Sequence, residues 1–512
     1  MRVTNLMTHN TSLANINRNM RHLQRLYEQT TSGKIISRPS QDPLISSRSL
    51  RFRSQISNIE QHQRNVESGH AWMNVTEAAF FNLLRGGGGG DGNPAIFTSI
   101  KDELLNAASD HSTLEDKLIM LTHVENLMEQ IGLEMNQTLG GRFVFAGWRT
   151  NQPPVLMANM PGESHVITQT LNVQDIEQTY SFRRPVPPFS ATNPMGLPET
   201  NRVNILKLPF ADRNLSFGAS TVPGAPVLGI FSSTGTPVPF NIESRSETDA
   251  DVFSPGPDDI FYVQETGELV LGSNVLAAFE EGGVFENGIS LRYQVSDLQA
   301  GDLNPFVYFD TVSTVHRVSP AVDGVSNHWP FEADQTIRYQ FNHGSPTHVN
   351  SLATNIFTDT MFADLRRLIS FANSLTPSNH WELEELYSSP PPHGQGLSGQ
   401  ELENAVSQSL AQEYALIRSV LYDRINNMID RMDRYTIEAT REHTHLGSRM
   451  HRVGMFELRL EQDELNYTRL MSNNEDVDVF FALMQQSAAE FSFQEAIRVI
   501  ANSVQLSLLQ FI

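Results

Sequence analysis

Cysteine is absent from the 512-residue chain. That removes disulfides, thiolate zinc sites, iron–sulfur clusters and cysteine nucleophiles together. No run of about 18 or more apolar residues occurs, so no segment has the length to cross a bilayer as a helix. The opening MRVTNLMTHNTSL lacks the apolar centre of a secretory signal, which by that route alone would leave the protein in the cytoplasm. Catalytic signatures are missing too: there is no H-E-x-x-H and no G-x-S-x-G. GQGLSG at 394–399 matches G-x-G-x-x-G in letters, but it follows a triple proline and not a strand. The run Gly86–Gly90 has no Lys-Ser or Lys-Thr after it and reads as a linker. His443, His445 and His451 read as a solvated helix face, because residues two apart on a helix do not face each other. Glu475, Asp476 and Asp478 read as ordinary negative charge at a helix start. No catalytic residue, cofactor-binding residue or metal ligand is expected, and the chain reads as a non-enzyme without cofactors.

Hydrophobic residues make up 39% of the chain and charged residues 18%, ordinary values for a folded protein of two to four domains. The net charge of −22 is unevenly spread. Residues 1–85 carry 11 basic and 5 acidic side chains, residues 151–400 carry −16, and residues 401–512 carry −7. An acidic middle argues against nucleic acid as the partner. A basic N-terminal arm facing acidic C-terminal helices favours pairing of the two ends.

Leu6, His9, Leu13, Ile16, Met20, Leu23, Tyr27 and Thr30 follow alternating steps of 3 and 4 and define a heptad seam. Gly33 stops that helix as a C-terminal glycine does. In the loop SRPSQDP, Asp42 is placed to cap the next helix and Pro43 to open its first turn. A second seam runs Phe52, Ile56, Ile59, Gln63, Val66, His70, Met73, Glu77, Phe80 and Leu84, and its regular polar gaps suggest partner-specific packing. Tyr414, Ile417, Leu421, Ile425, Met428, Met432 and Tyr435 form a stripe near the other end. A last helix carries Phe493, Ile497, Ile500, Val504, Leu508 and Phe511, and its closing residues need an apolar cover. One such seam is marginal alone, so both ends are expected to order by packing on each other and on neighbouring subunits. On periodicity alone, a plain bundle core competes evenly with an assembly interface.

The middle is rich in Pro, Gly and Thr. IFYVQETGELVLG (260–272) reads as a hairpin turning at Thr266 and Gly267. Residues 165–173, 289–295, 306–312 and 336–342 read as strands, 361–375 as an amphipathic helix, and 387–400 as a linker. The expected fold class is α+β: paired N- and C-terminal α-helices in a coiled-coil-like bundle, with one or possibly two inserted β-rich domains. The expected division is 1–40 with 470–512 as a terminal helical assembly domain, 41–154 with 401–469 as a helical core domain, and 155–400 as the β-rich insertion.

TSGKIISRPSQDP (31–43) followed by a helix reaching WMNVTEAAF (72–80) resembles the N-termini of the flagellin superfamily. PSQDP (Pro39, Ser40, Asp42 and Pro43 with Gln41) is similar to the hook–filament junction family, whereas flagellins usually carry an Ala-Asp-Asp form. GGRFVFAGWRTNQPP (140–154), HLGSRMHRV (445–453), LMSNNEDVDVFFALMQ (470–485) and SLLQFI (507–512) resemble further segments of that family in the same order. QETGELVLG (264–272) and VNSLATNIF (349–357) are fainter echoes. The glycine run and the length of the middle depart from the family pattern.

The resemblance implies a structural subunit of the bacterial flagellum, exported by the flagellar type III apparatus and therefore extracellular. That overrides the cytoplasmic expectation. It implies a homo-oligomeric ring of about eleven subunits, with the first hook-associated protein and flagellin as partners and an export chaperone before secretion. Neither nucleic acid nor membrane is expected as a partner. Leu13, Ile16, Met20, Leu23, Val504, Leu508 and Phe511 would form the inner helical packing. A divergent flagellin, an adhesive surface module in the middle, and an inserted enzyme are the competing possibilities.

Overall fold

The computed structural model describes residues 5–509 apart from 87–93, 110, 183–197, 199, 211–213, 223–224, 233–234, 239, 247–248, 250, 281–287, 315–327, 333, 343, 345, 376–377 and 390–394. Its helices are α1 (Asn5–Ser32), α2 (Pro43–Leu84), α3 (Ile96–Ala108), α4 (Leu114–Met135), α5 (Ser273–Glu280), α6 (Pro305–Tyr308), α7 (Ala353–Ile356), α8 (Met361–Ser374), α9 (His380–Ser388), α10 (Gly399–Glu475) and α11 (Val479–Leu509). Its strands are β1 (Thr138–Leu139), β2 (Arg142–Phe143), β3 (Met160–Leu171), β4 (Glu177–Tyr180), β5 (Arg202–Lys207), β6 (Asn214–Ser216), β7 (Gly229–Ser232), β8 (Asn241–Arg245), β9 (Asp259–Val263), β10 (Glu268–Leu271), β11 (Ile289–Leu298), β12 (Asp310–Ser313), β13 (His328–Trp329), β14 (Arg338–Tyr339) and β15 (Thr347–His348). The fold is α+β, with long helices at both chain ends and a β-rich middle.

The chain divides into two compact units, each assembled from segments far apart in sequence. The first holds residues 1–68, 339–347 and 451–512; the second holds 69–338 and 348–450.

In the second unit, one sheet has the order β4-β5-β10-β9-β8, with β8 parallel to β9. Another has the order β13-β12-β3-β11-β6, with β7 also on β11. The β9–β10 hairpin turns through Gly267 at φ 67°, a left-handed conformation that glycine adopts without Cβ strain. Two expected strands differ. Within 306–312, Pro305–Tyr308 forms a helical turn, and only Asp310–Ser313 is strand. Asn304 Oδ1 accepts from Phe306 N at 3.1 Å and Pro305 opens the turn, a cap-and-proline start that overrides the alternation. Within 336–342, only Arg338–Tyr339 is strand.

The conserved-looking phrases of the sequence meet here as fasteners. In GGRFVFAGWRTNQPP, Phe145 meets Phe80 edge-on at 6.1 Å, and its carbonyl accepts from Ala353 N at 2.9 Å. Gly147 has φ 60°, and a Cβ there would lie 2.8 Å from Gln335 Cβ, so only glycine lets these segments approach. Trp148 Nε1 donates to Thr336 O at 3.0 Å. From HLGSRMHRV, the buried Arg449 donates to Asn350 O at 3.2 Å, Ser351 Oγ at 2.7 Å and Glu442 at 2.9 Å. Thus the weak echo VNSLATNIF is what that arginine holds. The α10 stripe is buried from Ile417 through Tyr435, but Tyr414 is 49% exposed and falls outside it. His443 stacks on Phe80 at 5.3 Å and is not simply solvated; burial lowers its pKa.

Candidate assembly interface

Local chemistry places the elements of the first unit. Gly33 ends α1 at φ 68°, and its amide donates to Gln29 O at 2.9 Å. Asp42 Oδ1 accepts from Leu44 N at 2.9 Å and Ile45 N at 3.1 Å, capping α2 at Pro43. Gln41, between Ser40 and Asp42, accepts from Ser37 N at 2.8 Å and donates to Glu28, folding the PSQDP turn back on α1. Pro39 and Ser40 themselves are exposed.

This turn clips onto the turn between α10 and α11. Lys34 and Asp476 form an antiparallel bridge, Ile35 N donates to Glu475 O at 2.6 Å, and Val477 N donates to Gly33 O at 3.0 Å. Glu475 is 5% exposed and ends α10; it does not open the next helix, a role taken by Asp478, which accepts from Phe481 N at 3.1 Å. The Glu475 carboxylate receives Arg53 and Lys34, with Nζ of the latter 3.3 Å away, and is also bonded by Ser49. Burial pushes the Glu475 pKa up, but the hydrogen bonds from Arg53 and Lys34 outweigh it and hold the group below its ordinary value. Lys34 also meets Asp476 at 2.6 Å, and that bond lowers the Asp476 pKa.

Beyond the clip, α1 lies along α11. Tyr27 Oη donates to Glu490 at 2.6 Å, and Thr30 Oγ1 donates to Gln486 at 3.0 Å. Along α2 and α10, the polar gap Gln63 is filled by a bond to Glu464 at 2.6 Å. Of the seven proposed packing residues, Leu13 is 48% and Met20 56% exposed, while Ile16 and Leu23 are half-buried. The Val504 and Leu508 side chains and all of Phe511 lie outside the described residues. Sequence reasoning missed Leu26, 2% exposed and the buried anchor of α1, and it missed Glu475 as a charge hub. A signal for Glu475 existed: an acid in the last turn of a helix opposes the dipole and calls for cationic partners.

The surface chemistry of this unit is lopsided. Among described residues its buried apolar side chains are Leu26, Ile59, Val66, Phe341, Val453, Leu460 and Ala482. Against these seven stand 18 exposed large hydrophobics, including Leu44, Leu50, Leu458 and Leu465. On α11 the exposed set is Val479, Phe480, Phe481, Leu483, Met484, Phe491, Ile497 and Val499. At about 100° per residue these cover roughly 200° of the perimeter, far more than one partner helix hides. A helix apolar over that arc belongs inside something larger.

Such a unit defines a class: a helical-ended subunit built to be covered by neighbours. Residues 3–150 match the bacterial flagellin N-terminal helical region. No curated protein sequence matches the chain. Among solved structures, the chain is similar to a Vibrio parahaemolyticus protein described as a flagellar hook-associated protein, at 10% identity over 85% of this chain and 100% of that one, TM-score 0.36. It is similar to FlgL of Xanthomonas campestris at 8% identity over 83% and 99%, TM-score 0.29. It is also similar to the flagellar hook associated protein-3 of Legionella pneumophila at 11% identity over 82% and 96%, TM-score 0.27. No helix among the described residues is long and apolar enough to cross a membrane.

Proposed function

We propose that this chain is a structural, non-enzymatic subunit of the bacterial flagellum, at the junction between hook and filament. The observation that carries the assembly role is the excess of 18 exposed over seven buried large apolar side chains in the unit formed by the chain ends. Burying one such side chain is worth about 1.5–3 kcal/mol, so neighbours supply the stability that the monomer lacks. The flagellin N-terminal region supports the flagellum as the setting. PSQDP and the SLLQFI ending favour the junction over the filament, because flagellins usually carry a different turn. Export through the flagellar type III apparatus with a chaperone, a ring of about eleven copies, and contact with the first hook-associated protein and with flagellin complete the proposal.

Deletion of the gene tests it. Cells examined by electron microscopy should carry bare hooks and lose unpolymerised flagellin to the medium. Filaments still attached would turn the assignment to a flagellin or an accessory subunit.

A further inference from the structure

Phe480 is 88% exposed, the most exposed large hydrophobic side chain among the described residues. It sits in the first turn of α11, directly after the clip. Asp478 caps that turn, and the Val477 amide is tied to Gly33. The ring is therefore held on a rigid base, so little conformational freedom is lost when a partner covers it.

The same unit contains a hole of complementary chemistry. A cavity of about 290 Å³ opens between α2, the 339–347 excursion and α10. Ile59, Phe341, Phe456, Leu460 and Tyr467 give it an apolar, largely aromatic lining. Its rim is polar, with Gln55, Asn58, His62, Arg459 and Asp463. Phe341 and Phe456 meet at 6.3 Å, and His62 and Asn65 both reach the Gln340 carbonyl, fixing the excursion in place. An aromatic floor inside a polar ring is the anatomy of an interface hot spot.

Phe480 cannot fill the hole of its own chain. Leu460 is about 22 Å of helix away from the end of α10. Charge supports a match between copies. Phe480 is flanked by Asp476 and Asp478, while α2 over residues 43–68 carries four arginines against two glutamates. At the rim, Arg459 is 76% exposed and lies 3.9 Å from Asp463, a loose pair that leaves the guanidinium reachable.

We propose that Phe480 of one copy inserts into the α2/α10 cavity of a second copy. The inference rests on the assembly reading above and names its contact. Knob and hole are different patches, so the contact is head-to-tail and repeats into a ring or helix instead of closing a dimer.

The absence of cysteine gives a clean test on the full chain. Asn58→Cys and Val479→Cys would be made separately, mixed under polymerising conditions, and joined with a short bis-maleimide. A covalent dimer from the mixture, and from neither variant alone, is the expected result. Phe480→Ala should fold as the wild type by circular dichroism and raise the critical concentration for polymerisation at least about tenfold. Polymers that give no 58–479 product, or an unchanged critical concentration for Phe480→Ala, would overturn the contact while leaving assembly intact. A wild-type chain that forms no polymer with itself or with flagellin overturns the assembly reading, and this contact with it.

Discussion

Arg53 grips Glu475 through two hydrogen bonds, Nη2 lying 2.9 Å from Oε2 and 3.1 Å from Oε1. The two residues belong to opposite ends of the chain. Glu475 is buried whereas Arg53 is largely exposed, so the carboxylate is the half of the pair that cannot be left alone. Removal of Glu475 frees two cations that water can solvate, and the loss is that of the charged hydrogen bonds. Glu475→Ala should therefore destabilise the first unit by about 2 kcal/mol in denaturant unfolding.

The same residue sets an acid response. Its folded pKa lies below the ordinary 4.5, so the unfolded chain takes up a proton first as pH falls. The contribution is fully present above about pH 4.5 and disappears as pH drops through the lower folded value. Acid titration followed by circular dichroism should show a loss of stability in that window, and Glu475→Gln should flatten it. An identical acid limb in the variant would assign the response to other carboxylates.

Asp42 holds the start of α2 through two backbone amides. Asp42→Ala should cost about 1 kcal/mol, with Asp42→Ser recovering most of it, as for a cap whose only task is to accept those bonds. Thermal unfolding measures both. Equal destabilisation by Ala and Ser would point to a role for the charge.

Hydrogen exchange should separate monomer from assembly. With Leu26 as the only fully buried large apolar residue described on α1, amides of residues 5–30 should exchange quickly in the monomer and slowly once assembled. Strong protection in the monomer would mean that the chain ends already form a self-sufficient core.

Leu508→Asp places a charge on the apolar last stretch. The variant should reach the medium at normal levels yet fail to assemble. Full assembly would remove that position from the interface.

Features that depend on a few adjacent residues were legible in the sequence. Gly33, Asp42 and Pro43 act within one turn, and their roles follow from backbone geometry alone. The α8 helix and the β9–β10 hairpin are likewise local. What escaped depends on partners distant in sequence. The α1 seam was phased on Leu13 and Met20, but α11 approaches from the side that buries Leu26, and nothing in residues 1–32 states where that approach comes from. Phe341 alternates as if in a strand, yet its partner Phe456 lies on α10. The Pro305 turn shows the reverse case, in which a local cap signal was present and the alternation drew attention away from it.

Residues 339–347 belong to the middle of the sequence but to the unit of the chain ends. The boundary between variable decoration and load-carrying machinery is thus interleaved and cannot be cut at one point on each side. A chimaera that exchanged residues 155–400 wholesale would also take away Phe341, a wall of the aromatic cavity, and the Gln340 carbonyl that His62 and Asn65 hold. Drift in the outer region is tethered at this one patch, where a replacement must bring its own aromatic tile of the same shape.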